Sequence, residues 1–400
     1  MRILIVSNLY PPHYLGDYEL LCYYTSEWLL ERGHKVHVLT SSYKSKTALE
    51  ERGVYRELEL YIPFGQKASL SRGKRKRTYK VNYERTKERL KQIQPELVFV
   101  WSLLRLTAAS VAAAQDGKYK IVFAINDDSL HSYVAAHRGE GVGQFLRYVI
   151  DRTFYRKITL LDIKFDHAVC ISESLKSKLI KEDVPVENAK VIHQGLTVEN
   201  FPIKKNFGRL NSPIRLFTFG QILEYKGIHL SITALNILMQ ECQESFHFYI
   251  IDNGDKNDTY LSRLHGYAQY LEISSNIHFI SDISYEFSSQ IFYDHDIFLF
   301  TSLRSEPLGA YHLEAMATGS PIISVKGGGS GEFLINEENC LIFDPNKERD
   351  LVRQIKWIVQ DEELRMKIIR NARKMVETEF TVEKYVSEME AFLEFVHQKK

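Results

Sequence analysis

The sequence lacks the features that would assign it to several special classes of protein. It has only four cysteines, scattered without a CxxC pair, which argues against a disulfide scaffold or a cysteine metal site. No apolar run approaches the roughly 18 residues of a membrane-spanning helix. The N-terminus, MRILIVSNLYPP, lacks the long apolar stretch and cleavage site of a signal peptide. We therefore expect a cytoplasmic protein.

An excess of one charge sign is also missing. There are 52 Lys and Arg residues against 51 Asp and Glu residues, which leaves a net charge of +1. A nucleic-acid-binding domain carries a larger basic excess, so we expect no nucleic acid partner. The 44% hydrophobic and 26% charged residues are typical of globular proteins, and the length of 400 residues favours two domains.

Short apolar runs alternate with helical patterns in two successive series. Such alternation predicts α/β domains with parallel sheets, whose ligands bind at the carboxyl ends of the strands. A polar stretch at 204–213 separates the series and predicts domains at 1–205 and 206–380, with a helix at 381–400 that packs back on the first domain. The predicted strands lie at 2–7, 35–40, 97–101, 120–125, 167–171 and 190–193, and at 214–219, 247–251, 277–280, 297–300 and 321–324.

The segment after the strand at 297–300 carries the strongest chemical signal. Glu306 and Pro307 lie in the predicted loop, and a helix follows at 311–318, so the amides at its start are suited to binding phosphate. Glu314 lies within this helix, so that two carboxylates can serve one ligand: Glu306 a hexose and Glu314 a ribose. The predicted phosphate-binding amides belong to Leu308, Gly309 and Ala310.

Several motifs together resemble those of one enzyme family. The E-x7-E pattern in SEPLGAYHLEAMATGSPII resembles the donor signature of retaining family-4 glycosyltransferases of the GT-B fold. FGQILEYKGIHLSITAL resembles the family's G-R-x(4)-KG segment, and NLYPPHYLGDYEL its N-terminal glycine loop. CISESLKSKL, VIHQG and SVKGGGSGEFL also match recurring segments. The resemblance covers nearly the whole chain and implies two facing Rossmann-like domains with a cleft between them, the first binding the acceptor and the second a nucleotide sugar.

The resemblance also implies roles for basic residues at the donor diphosphate. Lys226 stands where the family has the lysine that contacts this group. The partner arginine is absent, because Gln221 occupies its place, and Arg304 is a candidate for the second cation. Ser281 lies in a segment that resembles the one flanking the nucleotide base. The stretch 324–332 is either a nucleotide contact or a plain glycine-rich loop.

Further candidates lie in the first domain. Gly16 and Asp17 stand where the family often has Gly-Gly, and we expect both at the donor, with Asp17 also as the N-cap of the first helix. Asn126 or Asp127 takes the place of a histidine that relatives hold near the reacting sugar, and His131 is a further candidate contact. The resemblance implies no bound metal, since Lys226 and the helix N-terminus supply the positive charge.

Residues 72–91 form a basic segment. It contains ten Lys or Arg residues. Such a patch suits an anionic membrane surface at the inner face or a diphosphate-linked acceptor, and a solvated loop leading into a helix is the alternative.

The combined prediction is a retaining transferase without a cofactor. It moves a hexose from a nucleoside diphosphate sugar, UDP-linked in preference to GDP-linked, to a hydroxyl of a glycan or glycolipid acceptor. The alternatives are an inactive transferase-like partner subunit, favoured by Gln221 and Asp17, and a sugar-nucleotide epimerase.

Overall fold

A computed structural model describes residues 1–44, 53–64, 72–137, 141–205, 210, 212–252, 258–281, 283–347 and 349–399. The chain divides into two compact units. The N-terminal unit comprises Met1–His193 and Val386–Lys400, and the C-terminal unit comprises Gln194–Tyr385.

The N-terminal unit contains a parallel sheet of seven strands within the described residues, in the order β3-β2-β1-β4-β5-β6-β7. Its strands are β1 (Arg2–Val6), β2 (Lys35–Ser41), β3 (Val54–Leu58), β4 (Leu97–Val100), β5 (Lys120–Ile125), β6 (Ala168–Cys170) and β7 (Lys190–Val191). Its helices are α1 (Asp17–Glu31), α2 (Arg72–Ile93), α3 (Ala109–Asp116), α4 (Val142–Thr153) and α5 (Glu173–Lys181).

The C-terminal unit repeats this plan with six strands in the described part, in the order β10-β9-β8-β11-β12-β13. Its strands are β8 (Ile214–Phe219), β9 (Phe246–Ile251), β10 (Ile277–Ile280), β11 (Ile297–Phe300), β12 (Ile322–Val325) and β13 (Leu341–Phe343). Its helices are α6 (Ile228–Glu241), α7 (Asp258–Tyr270), α8 (Ser288–Asp294), α9 (Ala310–Thr318), α10 (Asp350–Gln360) and α11 (Glu362–Glu379), and α12 (Val382–Gln398) crosses into the N-terminal unit.

The strand order reverses once in each sheet, between β1 and β4 and between β8 and β11. At such a switch point the connections leave neighbouring strands in opposite directions, and the crevice at their carboxyl ends is the usual ligand site of an open α/β sheet. β1, β4, β8 and β11 consist mostly of buried apolar residues, as expected of parallel strands covered on both faces.

The unit boundary differs from the predicted one. It falls between His193 and Gln194, not at 205/206. The reason is that the segment after Gln194 is bonded to the C-terminal unit: Leu196 forms a β-bridge with Thr381, and the Lys204 amide donates to the Thr318 carbonyl at 3.1 Å. Within the polar stretch 204–213, residues 206–209 and 211 lie outside the described residues.

The C-terminal helix contributes contacts to the N-terminal unit. His34 Nε2 lies 2.8 Å from Glu390 Oε1, Arg32 pairs with the same glutamate, and Lys120 donates to the His397 carbonyl. None of the helices in the described ranges is long and apolar enough to cross a membrane.

Two strands were not predicted from the sequence. β3 has the polar sequence VYREL, and β13 has three residues, and both lie at an edge of their sheet. An edge strand has one strand neighbour and needs a less continuous apolar run, so its sequence signal is weak.

Candidate active site

Two loops meet at the switch point of the C-terminal sheet. β8 leads through a short turn to Lys226, and β11 leads into the loop that carries Glu306. Lys226 Nζ lies 2.7 Å from Glu306 Oε1, and Ser302 Oγ donates to the same oxygen at 3.0 Å. Both ion-pair side chains are largely buried. The geometry thus joins the two residues that the sequence assigned to the diphosphate and the hexose.

Gly227 allows these loops to approach each other. Its φ of +65° lies in the left-handed region, and a Cβ at this position would stand 2.3 Å from the Thr301 carbonyl oxygen. Thr301 Oγ1 in turn donates to the Lys226 carbonyl at 2.8 Å. A side chain at Gly227 would therefore push the β8 loop away from the β11 loop.

The glycine-rich turn after β12 holds the backbone of Glu306. The Gly329 amide donates to the Glu306 carbonyl at 2.9 Å. A Cβ at Gly328 would stand 2.4 Å from that carbonyl oxygen, and one at Gly329 would stand 2.1 Å from the Pro307 oxygen. The stretch 324–332, for which the sequence left two roles open, thus supports the Glu306 loop through backbone packing.

Helix α9 starts directly after this loop. It begins at Ala310 with Gly309 as its N-cap, and Gly309 has a φ of +94° and supplies no side-chain cap. The amides of the first turn lack partners within the helix and carry its partial positive charge. Leu308 is buried, whereas Pro307 and Ala310 are partly exposed. The predicted phosphate-binding amides therefore lie at a true helix N-terminus.

Glu314 occupies the second turn of α9 and is fully buried. The Tyr285 hydroxyl donates to its Oε1 at 2.6 Å. Tyr285 lies after β10, close to Ser281, which is partly exposed at the strand end. The structure thus joins the predicted ribose ligand to the segment predicted beside the base. Residue 282 of this segment lies outside the described residues.

The environment of Gln221 differs from that of Lys226. Gln221 is exposed, and its carbonyl accepts the Leu223 amide at 3.0 Å. The guanidinium of Arg304 stands 5.0 Å from the ring centre of Tyr225, the residue before Lys226. The Leu303 amide also donates to the Tyr225 carbonyl at 2.6 Å. Arg304 is therefore a second cation beside the Lys226 loop.

The N-terminal candidates lie at the strand ends of the first sheet. Asn126 and Asp127 follow β5 and line a small recess with Tyr18, Trp101 and Ser102. Asn126 Nδ2 is buried and has no hydrogen-bond partner among the described residues. Asp127 Oδ1 accepts the Ser129 amide at 2.9 Å, and burial raises the pKa of this carboxyl.

Gly16 is the N-cap of α1, so the predicted N-cap role of Asp17 is wrong. The Gly16 amide donates to Glu19 Oε2 at 3.2 Å, because Glu19 folds back over the helix start. Gly16 is extended at φ −169°, and a Cβ at this position would meet no described atom within 4 Å. The side chain of Asp17 lies outside the described part of the structure.

His131 does not line the recess of Asn126 and Asp127. Its side chain is mostly exposed, and Nδ1 lies 3.4 Å from Glu182 Oε2. It lines a separate cavity together with Arg75 and Tyr133.

Comparisons with known proteins identify the type of protein to which this geometry belongs. Residues 19–200 match the family described as Glycosyltransferase Family 4, and residues 200–375 match Glycosyl transferases group 1. The fold is similar to that of HepE from Anabaena in complex with UDP-glucose, with a TM-score of 0.71 and 18% identity over 99% of this chain and 100% of that one. Together these two glycosyltransferase families account for residues 19–375, so the chain belongs to them, and its fold is of the GT-B type. The predicted fold class, two Rossmann-like α/β domains, is confirmed.

Two curated glycosyltransferases are similar over part of their length. Putative glycosyltransferase YtcC of Bacillus subtilis (strain 168) is 29% identical over 53% of this chain and 56% of its own length. Capsular polysaccharide biosynthesis glycosyltransferase CapM of Staphylococcus aureus is 26% identical over 56% of this chain and 60% of its own length. The matches therefore cover little more than half of each relative.

Sequence reasoning missed His312. His312 is fully buried, with Nδ1 3.2 Å from the Gly309 carbonyl and Nε2 3.1 Å from Ser324 Oγ. Burial lowers its pKa to about 3, so the ring is neutral. A Cβ at Gly309 would stand 2.6 Å from Nδ1, so His312 packs directly beneath the start of α9. A histidine inside the E-x7-E motif was the available signal.

The basic segment 72–91 is helical throughout, so the alternative of a solvated loop leading into a helix is wrong. Its ten basic residues also divide by environment. Arg72 and Arg75 line a cavity, and Arg85 and Arg89 pair with glutamates of the β3 region. The exposed remainder comprises Lys74, Lys76, Arg77, Lys80, Lys87 and Lys91.

Among the described residues, one group of His and carboxylate side chains is close enough to hold a metal ion, namely His34, Glu390 and Glu394. It contains none of the predicted site residues.

Proposed function

We propose that this chain transfers a hexose from a nucleoside diphosphate sugar, UDP-linked by preference, to a hydroxyl of a glycan or glycolipid acceptor with retention at the anomeric carbon. The observation that carries the proposal is the Lys226–Glu306 pair, 2.7 Å long, beside the N-terminus of α9. HepE, which shares the fold, binds UDP-glucose, and CapM is a capsular polysaccharide glycosyltransferase.

Lys226 and the α9 N-terminus hold the leaving diphosphate in this proposal. Charge develops on the diphosphate as the glycosidic bond breaks, and a preorganised ammonium and helix N-terminus stabilise that charge without needing to reorganise. They replace a metal ion, and no cofactor is required. Arg304 supplies the second cation in place of the missing arginine, since it stacks on Tyr225 next to Lys226.

The carboxylates recognise hydroxyl groups. Glu306 accepts hydrogen bonds from the hexose when Lys226 turns to the phosphate, and Ser302 keeps Glu306 in place. Glu314 serves the ribose, with Tyr285 orienting its carboxylate. Ser281 lies near the base.

In the N-terminal unit, Asn126 and Asp127 contact the transferred sugar, and Gly16 leaves open space for the donor. The buried, unpartnered Nδ2 of Asn126 supports this role, because a buried N–H group without an acceptor is costly unless a ligand supplies one.

A second candidate function is that of a nucleotide-sugar-binding subunit without turnover. The neutral, exposed side chain of Gln221, where the family has an arginine, favours it. Transfer or donor hydrolysis by the isolated chain separates the two functions.

The test is a thermal-shift and hydrolysis panel with UDP- and GDP-sugars. A ligand at about 100 times its Kd should stabilise the protein by about 2.7 kcal/mol. We expect a UDP-sugar to do so, Lys226→Ala to abolish the shift, and Lys367→Ala, which removes a surface ion pair with Glu338, to keep it. If none of the nucleotide sugars shifts the unfolding temperature, the proposed donor site is refuted.

A further inference from the structure

Helix α4 presents an apolar face to solvent. Val142, Phe145, Leu146 and Val149 follow the spacing of one helix face, and all four are exposed, Val142 by 86%. Phe154, one residue beyond the helix, is also 70% exposed. A contiguous exposed apolar surface of this kind marks a binding site. We call Val142, Phe145, Leu146 and Val149 the α4 face.

A cavity of about 660 Å³ adjoins the same helix. Its charged lining comprises three arginines, Arg72, Arg75 and Arg147, and one carboxylate, Asp151. Arg147 and Asp151 belong to α4, so the helix contributes both to the cavity and to the apolar face. The excess of arginine over carboxylate makes the cavity suited to an anion.

The carboxylate in the cavity is already engaged. Asp151 is buried; its Oδ1 lies 3.0 Å from Arg72, and its Oδ2 accepts the Ala136 amide at 3.1 Å. Its distance to Arg147 Nε is 4.0 Å. Asp151 therefore positions Arg72.

Arg75 is the arginine with unused hydrogen-bonding capacity. Its guanidinium lies 4.2 Å from the ring centre of Tyr133 and 5.2 Å from that of Tyr61, and Nη1 donates to the Ser132 carbonyl at 3.1 Å. Its Nε and Nη2 are buried and have no hydrogen-bond partner among the described residues. Buried N–H groups of a cation are costly without an acceptor, and Arg75 gains acceptors if its guanidinium turns toward an anion in the cavity that it lines.

We propose that this cavity binds the phosphate or diphosphate head of a lipid-linked acceptor, whose hydrocarbon chain lies along the α4 face. Arginine forms paired hydrogen bonds with phosphate oxygens, which accounts for the head group. Each methylene that the apolar face removes from water strengthens binding roughly fourfold, which accounts for the chain. Arg152 and Lys157, at the end of α4 and just beyond it, add positive charge near the apolar face, a combination typical of surfaces that bind anionic lipids.

The proposal names the acceptor class and rests on the proposed transferase function, but lipid binding is measured without turnover. The test is co-flotation with phosphatidylcholine vesicles that contain a polyprenyl diphosphate. Vesicles in which phosphatidylglycerol supplies the same total charge form the comparison. We expect preferential retention on the diphosphate vesicles and competition by soluble inorganic diphosphate.

Two variants separate the head site from the chain site. Arg75→Gln should weaken retention roughly 10- to 100-fold, the range for a hydrogen bond to a charged group. The double change Phe145→Ser and Leu146→Ser should weaken retention on vesicles but leave binding of inorganic diphosphate unchanged. Arg77→Gln is the matched control for Arg75→Gln, since it removes an exposed charge from the same helix, α2, at a position that does not line the cavity. This control should change retention less than about twofold.

Equal retention on phosphatidylglycerol vesicles would overturn the proposal, as would retention of Arg75→Gln at the level of Arg77→Gln. The proposal would also be overturned if the chain self-associates without binding lipid and the double serine change abolishes that association. The α4 face would then bind a second copy of this chain. Thermal shifts with UDP-sugars, measured on the same samples, report the donor site separately and show that each variant is folded. If the unaltered chain shows no thermal shift with any UDP-sugar, the proposed function is refuted and the lipid result stands.

Discussion

The candidate sites of the two units differ in how fully their polar groups are bonded within the protein. In the C-terminal unit, Lys226 and Glu306 bond to each other, Ser302 supports the pair, and Tyr285 bonds to Glu314. In the N-terminal unit, Asn126 Nδ2 is buried without a partner in the described ranges. The Lys226–Glu306 pair is held in shape by its own contacts, whereas the N-terminal site has a donor group left for a ligand.

The two sites should therefore respond differently to their ligands. In the proposed function, a diphosphate that takes Lys226 competes with Glu306, so donor binding would release a carboxylate for the sugar. A hydroxyl that meets Asn126 displaces no protein contact and gains a hydrogen bond. Substitutions in each unit test the two halves of this contrast, beginning with the largest expected effect.

Replacing Lys226 by Gln should have the largest effect on transfer. It removes the cation beside the leaving diphosphate, and the loss of one preorganised stabilising group costs roughly 100- to 1000-fold in kcat. Steady-state kinetics with a UDP-sugar measure the change. An activity within about threefold of the unaltered protein would place the diphosphate elsewhere; Lys367→Gln serves as control.

Replacing Gly227 by Ala should separate the two C-terminal loops. The new Cβ would stand 2.3 Å from the Thr301 oxygen at a φ of +65°, so we expect a loss of about 1–3 kcal/mol in the free energy of unfolding together with loss of donor binding. Gly16→Ala is the matched control, because that position is extended and has open space. Its unfolding free energy should change by less than about 0.5 kcal/mol. Equal losses of unfolding free energy in Gly227→Ala and Gly16→Ala would show that the close approach at Gly227 is not what holds the two C-terminal loops together.

The neutral His312 should make stability depend on pH. Its folded pKa of about 3 lies below the ordinary value of 6.5, so between these values the unfolded chain binds a proton that the folded chain does not. The free energy of unfolding therefore falls as pH falls through this window, by up to about 1.4 kcal/mol per pH unit from this residue. Urea unfolding should show a shallower dependence in His312→Gln. Parallel profiles would show that His312 is protonated in the folded protein.

Replacing Asn126 by Ala should have the smallest effect, and it should separate function from stability. The removed N–H group has no partner among the described residues, so the free energy of unfolding should stay within about 0.5 kcal/mol. Transfer should nevertheless slow by roughly tenfold, the value of one hydrogen bond to the sugar. A loss of stability with unchanged transfer would make Asn126 a structural residue.

Local features of the sequence determined most of the architecture. The strands at 120–125, 214–219, 277–280 and 297–300 lie where their apolar runs predict them, and α9 begins one residue before its predicted start. Hydrophobic periodicity and helix-terminal residues act over a few positions, so they can be seen without knowledge of the rest of the chain. The order of the motifs likewise indicated the GT-B fold.

Contacts between distant segments were decided only by the tertiary structure. Lys226 and Glu306 stand 80 residues apart in the chain and meet because β8 and β11 are neighbours and Gly227 lets their loops touch. The same packing buries His312, and it assigns Arg75 to a cavity while Arg77 stays exposed on the same helix. No local pattern encodes which side chains share a cavity, because that depends on the strand order and on the close approach of backbones far apart in sequence.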